Sequence, residues 1–308
     1  TDSHGKEHQF KDRKSFVNFM KMEGIEIDVL HSHSWHCSDF YKPECAERDG
    51  MDLSTFIELL GKPKFIITDH SNPTEDLRVM TKDFQEVDYN RLPNDCKEKF
   101  LQAHLKDYDR EHGWTPTSIL SKQQVMDLAD VVTFVSETQM HEEEQMIPQY
   151  HFQGKAKVVR NGVDIGQYNT PEVHALGRQM KYEMGINDNE KVILYAGRLD
   201  EEKGIFDLAE AAQMMKEKGE NVTVIYLGSN GHGAKEKIQF LSPSVKSIFP
   251  ERIGREERYR LAAMYALADV VTQPTWGECF NQVGAEALAM GTPIVVSDYS
   301  APGEIYVK

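Results

Sequence analysis

No run of residues in this sequence is long and apolar enough to suggest a bilayer span, and the first residues are polar, without the apolar core of a secretion signal. Cysteine is scarce. Its four copies, at 37, 45, 96 and 279, are irregularly spaced, give no disulfide framework and fit a reducing cytoplasm. Positive charge is also in deficit. Thirty-five Lys and Arg stand against 50 Asp and Glu, a formal charge of −15 at pH 7 that opposes broad binding to nucleic acid or anionic lipid. No internal repeat and no low-complexity tract is visible. What remains is a chain of 308 residues, 40% hydrophobic and 28% charged, enough for two domains of ordinary size.

Short β-rich runs alternate with helical patterns in both halves. Strands are expected at 27–30, 64–68, 131–135 and 157–160, then at 192–196, 222–227, 270–272 and 294–297. Helices are expected around Phe16, Phe19 and Met22, over most of 75–128, at 206–218 and 256–268, and from about Asn281 to a stop at Gly291 and Pro293. Residues 164–190 are polar, carry Pro171, Gly177 and Gly185, and read as a connection between domains. The alternation predicts an α/β protein with two Rossmann-like, doubly wound parallel sheets facing a cleft, residues 1–165 and 166–308. Ligands of such sheets bind beyond the carboxyl ends of the strands. His33, His70 and Ser136 end strands of the first half, whereas Arg198, Gly228 and the Trp276–Glu278 loop end strands of the second.

The most informative stretch is 269–298, DVVTQPTWGECFNQVGAEALAMGTPIVVSD, a strand–loop–helix–strand unit. Backbone N–H groups near Phe280, Asn281 and Gln282 would be the unpaired donors of a helix start, suited to an anion. Glu278 in the loop and Glu286 in the helix add two carboxylates, which suit a ligand that also carries hydroxyls. The alternative is an ordinary α/β unit with one exposed and one partly buried Glu. A second signal is Gly197-Arg198-Leu199-Asp200-Glu201-Glu202-Lys203-Gly204, where a strand-end glycine admits backbone close to a ligand and two cations suit a diphosphate. Placement just beyond a buried strand makes a solvated surface role less expected for Arg198 than for Lys203.

Gly-Arg-Leu-(three residues)-Lys-Gly, followed by Glu-(seven residues)-Glu, resembles the donor-site signature of retaining glycosyltransferases of the GT-B fold, family 4 (glycosyl transferases group 1). The VVRNGVD segment at 158–164, the ADVV runs at 129–132 and 268–271, and AMGTPIVVSD match the same family, and the resemblance covers roughly 25–306. It implies a hexosyltransferase that moves a hexose from a nucleotide-diphosphate sugar, of the UDP-glucose or GDP-mannose type, to a carbohydrate or small-molecule hydroxyl. Arg198 and Lys203 would hold the diphosphate, and Glu278 the hydroxyls of the transferred sugar. Phe280, Asn281 and Gln282 would offer amides to the sugar or distal phosphate, and Glu286 would grip ribose. His70 would reach the donor sugar near the reacting carbon. Gly197 would lie against the donor, Gly228 and Ile253 near the base, and His33 and Ser136 on the acceptor side. The resemblance implies no metal and no cofactor. A GT-B nucleotide-sugar epimerase and a silent partner subunit of a glycosyltransferase are the alternatives.

The family begins with a strand and a Gly-rich loop that do not precede the Asp28–Leu30 strand here, and it continues beyond the point where this chain stops, at Lys308. The chain therefore reads as incomplete at both ends. Three further signals are set aside. His31, His33, His36, Cys37 and Cys45 crowd together but match no common zinc spacing, and His141 lacks the second histidine of a metalloprotease helix. The Gly228–Gly233 run is not a dinucleotide fingerprint. Met214, Met215 and Met264 read as core.

Overall fold

The computed structural model describes residues 12–33, 51–69, 126–146, 154–229, 233–254, 256–298 and 300–307. The chain packs as two units, Thr1–Val159 and Arg160–Lys308. Residues 160–165, expected at the end of the first domain, pack with the second.

The first unit holds a parallel sheet of β1 (Val29–His33), β2 (Lys64–Asp69), β3 (Val131–Phe134) and β4 (Ala156–Val158), in that spatial order. Around it lie α1 (Arg13–Glu23), α2 (Leu53–Leu59) and α3 (Glu137–Met146). Val17, Phe56, Phe65, Ile67, Val132 and Phe134 share its core. The first strand runs later than the sequence suggests, through His33, because a backbone ladder needs no apolar side chains: His33 pairs with Thr68 of β2. Across this sheet His31 Nε2 shares a 2.7 Å hydrogen bond with Thr68 Oγ1, which in turn lies 2.7 Å from Thr133 Oγ1.

The second unit is a five-stranded parallel sheet formed by β5 (Lys191–Ala196), β6 (Val222–Leu227), β7 (Lys246–Ile248), β8 (Val270–Gln273) and β9 (Ile294–Val296). Their spatial order is β7-β6-β5-β8-β9, so the winding reverses between β5 and β8. Helices cover both faces, and one strand serves both: Val192 and Leu194 enter one core, Ile193 and Tyr195 the other. The first face carries α4 (Ile165–Tyr168), α5 (Pro171–Glu183), α8 (Arg258–Leu267) and α9 (Gln282–Ala289); the second carries α6 (Ile205–Glu217) and α7 (Ala234–Leu241). A last helix, α10 (Ala301–Tyr306), follows β9.

Two expectations need correction. Residues 164–190 are not a linker. Thr170 caps α5 by accepting from the Val173 N–H, Pro171 starts it, and Val173, Gly177 and Met180 line its buried face. The missing side chain of Gly177 allows close packing on α8: a Cβ there would stand 2.9 Å from the Ala263 carbonyl oxygen. The residues that looked like linker punctuation are a helix start and a helix crossing. Met264 is buried as expected, but Met214 and Met215 are 57% and 37% exposed on the outer side of α6.

The two ADVV runs perform the same local task. Asp130 Oδ2 accepts from the Phe65 N–H at 2.9 Å and Oδ1 from Lys64 Nζ, while Asp269 Oδ2 accepts from the Val192 N–H at 2.8 Å and Oδ1 from Lys191 Nζ. Each aspartate ties the start of a central strand to the strand that follows the aspartate. The Phe65 N–H, then Lys64, holds the Asp130 carboxyl below the usual carboxylate range. For Asp269 burial pushes upward, but the Val192 N–H and Lys191 outweigh it and the pKa is lowered. Among the described residues no helix is long and apolar enough to cross a membrane.

Candidate functional site

The winding reverses between β5 and β8, and the carboxyl ends of strands at such a switch point are the usual ligand position in an open α/β sheet. The β5 loop carries Gly197 to Gly204, the β8 loop Pro274 to Asn281. Several contacts brace them. Gln273 Nε2 donates to the Ala196 carbonyl at 2.9 Å, the Trp276 N–H donates to the Glu202 carbonyl at 2.9 Å, and the Trp276 indole reaches Asp207 at 3.2 Å. Gly204 permits the closest approach. Its φ is +69°, and a Cβ on it would lie 2.0 Å from the Pro274 carbonyl oxygen.

This bracing brings Lys203 and Glu278 together. Lys203 Nζ lies 3.3 Å from a Glu278 oxygen, and the lysine side chain is only 13% exposed. Arg198 is the more open of the two cations, 57% exposed, the reverse of the order expected from its strand-end position. Its guanidinium folds back on its own loop, 2.7 Å from Asp200 and 2.8 Å from Glu202. The loop is fixed from below by Tyr195, whose buried hydroxyl donates to the Arg198 carbonyl at 2.6 Å. Burial, with Asp200 and Glu278 nearby, pushes the Tyr195 pKa far upward, so it stays a donor.

The helix start beside Glu278 is built as a donor. Asn281, with φ +67°, caps α9 by accepting from the Gly284 N–H through Oδ1 at 3.0 Å, and Tyr306 donates to the Asn281 carbonyl at 2.9 Å. Because a backbone N–H must meet an oxygen, this cap fixes the amide orientation and leaves Asn281 Nδ2 buried with no partner among the described residues. Among the described residues, no group accepts from the N–H of Gln282 or Val283, as the first turn of a helix leaves them. The Glu278 N–H donates to Ser300 Oγ at 3.2 Å.

Glu286, one turn further on, is held from two sides. Tyr168 donates to one of its oxygens at 3.3 Å and Tyr265 to the other at 2.8 Å. Neither tyrosine stands out in the sequence, since a hydroxyl at a helix end or in a core carries no spacing signal. The acidic partners of Arg198, two and four positions after it, were not singled out either, although their spacing could have pointed to them.

The other expected residues divide. Phe280 is a buried core residue, edge-on to Tyr306, so only its backbone can serve a ligand. Gln282 Nε2 reaches the Gly162 carbonyl at 3.3 Å. Gly228 follows β6 directly beside Gly197, whose carbonyl oxygen would be 1.7 Å from a Cβ at 228, and Ile253 packs partly buried against the core. Ser136 is fully buried, and its Oγ accepts from the Gln139 N–H at 3.1 Å to cap α3. His70, His36, Cys37, Cys45 and the His33 side chain lie outside the described residues. Among the described residues, no group of His, Cys, Asp or Glu is arranged to hold a metal ion.

Residues 178–308 match the family model described as "Glycosyl transferases group 1". Among curated proteins, a D-inositol 3-phosphate glycosyltransferase of Corynebacterium urealyticum is 29% identical over 292 residues, 92% of this chain and 58% of that protein. An uncharacterized glycosyltransferase of Methanocaldococcus jannaschii is 30% identical over 49% of this chain and 38% of its own length. The chain spans about half the length of the curated relatives it matches. Among solved structures, sucrose-phosphate synthase of Thermosynechococcus elongatus superposes with a TM-score of 0.59 at 17% identity, over 94% of this chain and 60% of that one. Anabaena HepE, solved with UDP and glucose, gives 0.55 at 16% identity, over 95% and 64%.

Proposed function

We propose that this GT-B chain, with its glycosyl transferases group 1 region at 178–308, is a retaining glycosyltransferase that moves a hexose from a nucleotide-diphosphate sugar to an acceptor hydroxyl. The observation that carries this reading is the meeting of Lys203, Glu278 and the α9 start at the β5–β8 switch point. A diphosphate needs cations and amide donors, and a sugar needs a carboxylate for its hydroxyls. The switch point brings both together.

In this reading Lys203 and the α9 amides receive the diphosphate and stabilise its charge as the glycosidic bond breaks. Arg198 joins them by exchanging Asp200 and Glu202 for phosphate oxygens. Glu278 accepts from hydroxyls of the transferred sugar and Glu286 from the ribose. His70 and His33 stay the first-unit candidates for the donor sugar and acceptor. Gly228 and Ile253 stay the candidates beside the base. Ser136, which also caps α3, stays the other acceptor-side candidate. No metal or organic cofactor enters the scheme, and a reducing cytoplasm remains the compartment that the cysteine usage suggests.

The test is turnover of UDP-, GDP- and ADP-hexoses, followed by NMR of the anomeric proton. Trial acceptors include inositol 3-phosphate, the compound after which the Corynebacterium relative is named. Consumption of one donor with an α-configured product supports the reading. Inversion at the anomeric carbon overturns retention, and a 2-epimerised sugar would favour the epimerase alternative.

A further inference from the structure

We infer that Tyr168 and Tyr265 are positioning residues for ribose recognition: together they fix the Glu286 carboxylate so that each of its oxygens keeps an acceptor site for one hydroxyl of a ribose cis-diol. This rests on the donor-site reading above and deepens it by assigning residues that act through Glu286.

A glutamate side chain on a helix has three torsions and would ordinarily lose considerable freedom on binding a ligand. Here that freedom is removed in advance. Tyr168 donates to Oε1 at 3.3 Å and Tyr265 to Oε2 at 2.8 Å, one tyrosine for each oxygen. An ionised carboxylate offers about four lone-pair sites, so two are used and one on each oxygen remains. Vicinal hydroxyls of a ribose need that pair of sites, side by side on one group.

The two donors come from separate, anchored elements. Tyr168 ends α4, whose start is capped by Asp164 accepting from the Gly166 N–H at 3.1 Å. Tyr265 is fully buried in α8, and its carbonyl accepts from Thr292 Oγ1 at 2.8 Å. Neither phenol can reverse its role near neutrality. Burial first, then the charge of Glu286, raises both pKa values. A carboxylate held by two permanent donors is oriented before the ligand arrives, which is where pre-organisation gains affinity.

Two tyrosines that merely satisfy a partly buried acid would look similar in the unbound protein, so the test reads ribose itself. UDP, GDP and ADP are titrated against the chain by calorimetry, each beside its 2′-deoxy counterpart, with inorganic pyrophosphate as a control that has no ribose. The variants are Tyr168→Phe and Tyr265→Phe, which keep the rings. The wild type should prefer the ribonucleotide. Each variant should cut that preference about threefold to tenfold, the net scale of one hydrogen bond made less well rather than lost, while pyrophosphate affinity holds. Variants that lose thermal stability yet keep the full ribose preference would overturn the inference. Because Tyr168 is the less constrained of the two, its variant keeps the test open if Tyr265→Phe fails to fold. A wild type that binds a diphosphate without preferring ribose would sink this inference alone. A wild type that binds no nucleotide diphosphate would sink the donor-site reading with it.

Discussion

Lys203 and Glu278 stand 75 positions apart in sequence, yet the lysine ammonium lies 3.3 Å from the glutamate carboxylate. The loop after β5 supplies the cation and the loop after β8 the carboxylate; in the proposed function the first would meet a diphosphate and the second a sugar. The β8 loop leads into the helix that carries Glu286, so in the proposed function the two glutamates would face different parts of one ligand.

That division predicts a kinetic split. Glu278 would contact the sugar that gains positive character during transfer, and Glu286 a ribose that is unchanged. Glu278→Gln should lower kcat by about 10²–10³, the scale of losing one oriented electrostatic contact. Glu286→Gln should mainly raise the donor KM, because its contact is equal in ground and transition states. Steady-state kinetics decides it: loss of kcat in Glu286→Gln with intact nucleotide affinity would reverse the roles.

Arg198 pairs with Asp200 and Glu202. Half-exposed pairs of this kind are worth roughly 0.2–1 kcal/mol each. Asp200→Asn should therefore tighten diphosphate binding by about 1.5- to 5-fold at low salt, as the guanidinium no longer has to leave a partner. Arg198→Ala should weaken it by about 1.5–3 kcal/mol, the range for hydrogen bonds to charged groups. Equal affinities in all three proteins would show that Arg198 never leaves its loop.

Gly204 tests the bracing of the two loops. A methyl group there meets the Pro274 carbonyl at 2.0 Å, and the φ of +69° strains any other residue. Gly204→Ala should lower stability by about 1–3 kcal/mol and part Lys203 from Glu278, so that diphosphate affinity falls along with Tm. A variant with unchanged Tm and affinity would show that the loops do not depend on this contact.

Away from the site, Glu190 joins β5 to β6. It is buried, accepts from the Thr223 hydroxyl and from the Asn187 N–H and amide, and lies 3.6 Å from Lys246. Thr223 first, then Asn187, lowers its pKa from 4.5 to about 2. A depressed carboxyl stabilises the fold above its unfolded value and loses that contribution as pH falls through the folded one. The contribution should thus fade between about pH 4.5 and 2, and Glu190→Gln should flatten that part of the stability curve. Denaturant melts at several pH values check it; parallel wild-type and variant curves would contradict it.

The sheets were legible because their strands are short apolar runs bounded by glycine, proline or polar loops, as Val192 to Ala196 and Val222 to Leu227 are. The motifs around Arg198 and Glu278 stood out because glycines and charges directly after such runs have few structural reasons to be there. Three things were not legible. Polar His31 and His33 continue a strand through its backbone ladder, which side-chain pattern does not report. Pro171 and Gly177 punctuate a linker and start or thin a helix equally well, and only the α8 surface decides between them. The partners of Glu286 come from α4 and α8, 118 and 21 positions away, and only the fold brings them together.

The central claim is that the β5–β8 switch point receives the diphosphate of a nucleotide sugar. Calorimetric titration of the wild type and of Lys203→Ala with UDP, GDP and ADP tests it most directly. The account predicts that at least one of the three binds and that Lys203→Ala weakens it by about 10- to 100-fold, the loss of a charge-assisted contact, without a comparable loss of Tm. Binding of none of the three, or binding indifferent to Lys203, would contradict it.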